Sequence, residues 1–167
     1  EKLTSPERLD VLKHEFYHLI FQHVTSRKPE NLNGRVWNFA TDLAINSHLE
    51  NLPENCLKPG QGPFEDFAAG LSSEEYLKLL QKMQKEEKEK QESEDGEPGE
   101  DGDGLPQDGQ FDSHDEWNDG PATPAQQQAN DIAQERLKEY VRKAAEDAQK
   151  GNGWGTVPAS VRQDIVA

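Results

Sequence analysis

The sequence predicts a mainly α-helical fold. Two observations carry this: four segments repeat apolar residues at helical spacing, and no segment shows a convincing strand pattern. Prolines fall at helix starts or in connections, where they fit.

Ser5-Pro6 reads as a cap followed by a first-turn proline, opening a helix to about Val24. Leu9, Leu12, Phe16, Leu19 and Ile20 would give it one apolar face. A polar loop from Lys28 to Gly34 leads to a second helix, about Arg35 to Leu49. There Trp37, Ala40, Ala44, Ile45 and Leu49 could pack, while Asn38, Asp42 and Asn46 form a polar stripe. Pro53, Pro59, Gly60, Gly62 and Pro63 mark an irregular connection. Ser72 or Ser73 caps a third helix, striped by Tyr76, Leu77, Leu80 and Met83 and fading near Lys90. Thr123-Pro124 starts a fourth, to about Lys150, with Gly151 as its stop. Its stripe is Ala129, Ile132, Ala133, Leu137, Tyr140, Val141 and Ala144.

The chain has 167 residues and a net charge of -15, but only 32% of it is hydrophobic. The charge is uneven. Residues 91–121 hold twelve acids and no Lys or Arg, leaving 21 acids against 18 bases elsewhere. No basic stripe suits a phosphate backbone, so nucleic acid is not an expected partner. No apolar run approaches a membrane span. The single cysteine, Cys56, excludes an internal disulfide and fits a reducing, cytoplasmic setting. The chain opens on Glu1, already close to a helix, so native sequence before it is expected. The organisation predicted is metal-binding helices over 1–90, an acidic flexible loop over 91–121, and a C-terminal helical part of the same domain over 122–167. The loop is too poor in aliphatics to offset its chain entropy. Its DGDG run lacks the spaced ligands of a calcium loop and reads as linker.

The chemistry concentrates at residues 14–18, HEFYH. His14 and His18 lie four apart, so on a helix both imidazoles can reach one metal ion. Glu15 adjoins the first ligand, where its carboxylate can meet a metal-bound water instead of the metal. This is the HExxH arrangement of zinc peptidases. Zinc lowers the pKa of its water, and Glu15 would take the proton and pass it to the leaving amine.

A catalytic zinc usually has a third protein ligand. His23 lies nine residues after His14, about half a turn round a continuous helix. No glycine occurs between His18 and His23 to break the helix, as one does before the third histidine of metzincins, so His23 reads as a helix-end or packing residue. Asp42, on the polar stripe 24 residues after His18, is the better candidate. Gluzincins such as thermolysin take a Glu ligand from a following helix at similar separation. An Asp ligand makes this site similar to aspzincins in composition. Asn46, one turn on, could accept from a ligand imidazole. His48 lies off the stripe. For the developing oxyanion, His114 in FDSHDEWND is the candidate donor, with Asp115 as its possible partner and Tyr17 and Tyr76 in reserve.

HEFYH, VWNFATDLAIN at residues 36–46, HDEW at 114–117 and a Gly-Thr-Val-Pro tail occur in one order. That series resembles the putative metallopeptidase domain family of bacteria and their phages. The resemblance implies a zincin-like helical core: an HExxH helix plus a second helix bearing Asp42 as ligand. It also implies a peptide or protein substrate and Zn2+, with possible partners in a von Willebrand factor A-like domain or an AAA+ ATPase. Zincins place a small sheet before the HExxH helix. Here that sheet is missing or supplied by residues outside this chain.

Overall fold

A computed structural model describes residues 2–23, 27–29, 31–93, 105–106, 123–151, 153–154 and 162. Four α-helices account for most of them: α1 (Ser5–Ile20), α2 (Gly34–Asn46), α3 (Ser73–Ser93) and α4 (Pro124–Lys150). A short 3-10 turn covers Gly62–Phe64, and no strand occurs among the described residues.

The centre of the fold is α2. Its residues Val36, Trp37, Asn38, Phe39, Ala40, Thr41, Asp42, Leu43, Ile45 and Asn46 are all buried. One side packs on α3 through Phe39, Leu43, Tyr76, Leu77 and Leu80, with Phe64 between them. Another side meets α1. There Ile45 joins Tyr17, Leu49, Leu52 and Cys56 in a second, smaller cluster. Burying a Leu, Ile or Phe fully contributes about 1.5–3 kcal/mol, so these two clusters hold the body together.

Local chemistry sets the helix ends. Thr4, not Ser5, caps α1. Its hydroxyl accepts from the Glu7 amide, and the Glu7 carboxylate accepts from the Thr4 amide at 2.6 Å, a complete capping box. Ser72 and Glu75 make the same reciprocal pair before α3. The far end of α1 comes early, at Ile20 instead of Val24. Gln22 takes a left-handed backbone, φ 57°. The amides of Gln22 and His23 then close on the carbonyls of Leu19 and His18 at 3.1 and 3.0 Å. That is a Schellman ending, normally built on glycine.

The inward face of α1 also differs from the apolar-face expectation. Leu9, Leu12, Phe16 and Leu19 are 54%, 54%, 56% and 43% exposed. The buried residues are Asp10, His14, Tyr17 and His18. The polar side turns inward because its groups find partners there. Asp10 accepts from Lys13 Nζ at 2.8 Å and from the backbone and side-chain amides of Asn51 at 2.9 and 3.1 Å. On α4, which touches α1, Ala145 is buried but Ile132 and Tyr140 are exposed.

Among the described residues of the acidic segment, Leu105 belongs to the core. Leu105 is 7% exposed and packs in the α2–α3 cluster. The Arg35 guanidinium donates to the carbonyl of Pro106 at 2.8 Å. Leu105 and Pro106 are therefore anchored to the body.

Candidate metal centre

His14 and His18 stand on adjacent turns of α1, and Asp42 faces them from α2. His18 Nε2 lies 3.0 Å from His14 Nε2 and 3.2 Å from Asp42 Oδ1. His14 Nε2 lies 3.7 Å from the same oxygen. All three residues are buried. Among the described residues, they are the one set of three His, Cys, Asp or Glu side chains with donor atoms all within 4.8 Å of one another.

These spacings suit one small metal ion. Ligands at tetrahedral corners, each about 2.0–2.1 Å from an ion, sit about 3.3 Å apart. The three observed separations bracket that value. Two imidazoles and a carboxylate also form a donor set that divalent transition metals accept.

Asn46 organises the site. Its amide nitrogen donates to the Leu57 carbonyl at 2.8 Å, which turns its oxygen towards His14. His14 Nδ1 lies 2.7 Å from that oxygen and so carries the proton it donates. The tautomer follows: Nε2 presents its lone pair to His18 and Asp42. A ligand histidine held by its second nitrogen is the usual arrangement in metal sites. Glu15 is half-buried beside His14 on the helix.

His23 does not join the three donor atoms, but not because it lies across a continuous helix. The Gln22 turn folds it back, and its ring sits 5.4 Å from that of His18, edge to face. It is buried, with Nε2 2.9 Å from Ser73 Oγ, while its carbonyl accepts from the Trp37 indole at 2.9 Å. Burial, with smaller contributions from neighbouring cationic groups, pushes its pKa down to about 2. The ring therefore stays neutral and packs as a strut behind His18.

A cavity opens beside the donor atoms, lined by Val11, His14, Asp42, Asn46, Leu52, Cys56 and Leu57. Cys56 is a free, buried thiol, which burial pushes up to about 11, so it remains uncharged at neutral pH. The contribution of residues 51–57 escaped the sequence reading, because Leu52, Cys56 and Leu57 sit in an irregular connection without periodicity. His48 is not in the cluster, and Tyr76 donates instead to the Ala68 carbonyl at 2.7 Å. His114 and Asp115 lie outside the described residues.

No described helix is long and apolar enough to cross a membrane. Neither curated proteins nor solved structures give a match to this chain. A family model described as "Putative metallopeptidase domain" does match, over residues 1–166. The chain belongs to that family.

Proposed function

We propose that this protein is a zinc-dependent metallopeptidase, with His14, His18 and Asp42 as ligands and Glu15 as general base. The observation that supports it best is the convergence of three buried donor atoms at separations of 3.0, 3.2 and 3.7 Å. Bound there, zinc would supply Lewis acidity, polarising a peptide carbonyl and acidifying water. The chain's own residues do the rest. Asn46 holds the His14 ring in the binding tautomer. The Glu15 carboxylate takes a proton from the attacking water and delivers it to the departing amine. His114 is the proposed donor to the developing oxyanion.

The test begins with metal content. Purified protein should carry about one zinc per chain, lost in His14→Ala and in His18→Ala. Asp42→Ala should weaken zinc binding, and His23→Ala should leave it intact. Iron in place of zinc, which two histidines and a carboxylate can also hold, would overturn the zinc assignment. Glu15→Gln should retain zinc and lower cleavage of labelled casein by about 100-fold or more. An unchanged rate would remove Glu15 from the mechanism.

A second reading is favoured by the exposed Leu9, Leu12, Phe16 and Leu19 along α1. In it the chain is a metal-binding scaffold that works against a partner such as an AAA+ ATPase. Zinc bound without any hydrolysis, in the wild type as in Glu15→Gln, would select this reading.

A further inference from the structure

The cavity beside the donor atoms bears on what the site accepts, and this inference rests on the zinc-site reading above. Its polar lining is His14, Asp42 and Asn46. Val11 of α1 and Leu52, Cys56 and Leu57 of the following connection add apolar or weakly polar surface. The space left between them holds about one water molecule.

A small cavity often reflects loose packing that could simply yield to a larger group. Here the wall is held at both ends. The Asn51 backbone and side chain both donate to Asp10 Oδ2 on α1, at 2.9 and 3.1 Å. The Leu57 carbonyl accepts from Asn46 on α2 at 2.8 Å. Between these points the Cys56 amide donates to the Pro53 carbonyl at 3.0 Å, making an internal turn. Leu52 and Cys56 also pack with Ile45 and Tyr17 in the smaller core cluster. Retracting the wall would break hydrogen bonds to both helices and open that cluster. Close-packed interiors yield little to such demands.

We propose that Leu52, Cys56 and Leu57 form a rigid size filter at the donor atoms. The filter admits water and a group of one carbon. In a peptide substrate, the residue beside the cleaved bond that faces this wall is then glycine or alanine. A longer apolar side chain suits the chemistry of the wall but not its reach.

Two hydroxamates of different bulk test this on the zinc-loaded protein by calorimetric titration. Both carry the same metal-binding group. Acetohydroxamate adds a methyl and benzohydroxamate a phenyl ring. Acetohydroxamate should bind at least tenfold tighter. Enlarging the space by Cys56→Ala or, separately, by Leu52→Val should cut that ratio to threefold or less. Filling it by Cys56→Leu should retain zinc and weaken acetohydroxamate at least tenfold. Equal binding of the two probes by the wild type would overturn the filter while leaving the zinc site standing. So would an unchanged ratio in both enlarged variants. A protein that takes up no zinc overturns the filter and the zinc site together.

Discussion

Replacing Asn46 separates the orientation of a metal ligand from the stability of the fold. In Asn46→Ala, the His14 Nδ1 proton loses its acceptor at 2.7 Å and the Leu57 carbonyl loses its donor at 2.8 Å. Both groups are buried, and each orphaned partner costs about 1–3 kcal/mol. The expected loss of stability is therefore about 2–6 kcal/mol. Zinc affinity should fall about 10- to 100-fold, the usual cost of removing the group that holds a ligand histidine. That corresponds to about 1.4–2.8 kcal/mol of binding. Asn46→Asp divides the two effects. It keeps an acceptor for His14 but no donor for Leu57. Its zinc affinity should stay within about threefold of wild type, while its stability falls by about 1–3 kcal/mol. Urea denaturation in excess chelator measures the first quantity, and zinc competition against a calibrated chelator the second. Wild-type zinc affinity in Asn46→Ala would refute the orientation argument. Equal affinities for the Ala and Asp variants would refute it as well.

Three further outcomes follow from the packing. Because burial holds His23 at about 2, the folded protein binds fewer protons there than the unfolded chain between that value and about 6.5. Stability is then present above the unfolded value and lost on acidification. His23 should contribute about 2 kcal/mol of loss between pH 7 and pH 5, and metal-free His23→Gln should show a correspondingly flatter urea midpoint against pH. Leu105→Ala should cost about 2–5 kcal/mol as a core truncation, whereas Leu12→Ala, on the exposed face of α1, should change stability by no more than about 0.5 kcal/mol; equal effects in chemical denaturation would contradict the burial assigned to either. Gln22→Gly should stabilise the protein by about 1 kcal/mol by removing the side-chain penalty at positive φ, read as a higher urea midpoint.

Much of the fold could be read from residue order. The stripe of α3 is legible because apolar contact decides which way Tyr76, Leu77 and Leu80 face. On α2 the packing of Trp37, Ala40 and Ile45 is legible, but that of Phe39 and Leu43 is not, because a helix buried on nearly every side shows no single apolar stripe. The bounds of α4 are legible from Thr123-Pro124 and Gly151. On α1 the same reasoning fails. Periodicity assumes that the most apolar side goes inward, but here the hydrogen bonds of Asp10 and His14 turn the polar side in. The polar stripe of α2 was visible in the sequence, and the structure brings Asp42 and Asn46 against the HEFYH residues. His23 is a packing residue at the helix end, as expected, but not by the opposite-face geometry, because helical arithmetic holds only while the helix continues. Its stop is built on a left-handed Gln22, a residue that carries no turn signal. Leu105 was hidden by averaging, since one leucine in an acidic run barely alters its composition. The residues that wall the cavity come from a connection where no repeating pattern exists to be read.

The polar inner face of α1 has a further consequence. Its leucines lie outside, so the apolar contact that fastens this helix beside Ile45 of α2 comes from Val11, Tyr17 and Ile20. A metal ion held by His14, His18 and Asp42 would add a reversible cross-link between these two elements. Free metal then enters the folding equilibrium by mass action, adding about 2.7 kcal/mol when it stands at 100 times its dissociation constant. Metal supply would then govern the stability of the folded molecule as well as its chemistry. Chelation would loosen the contact between α1 and α2 at the HEFYH residues.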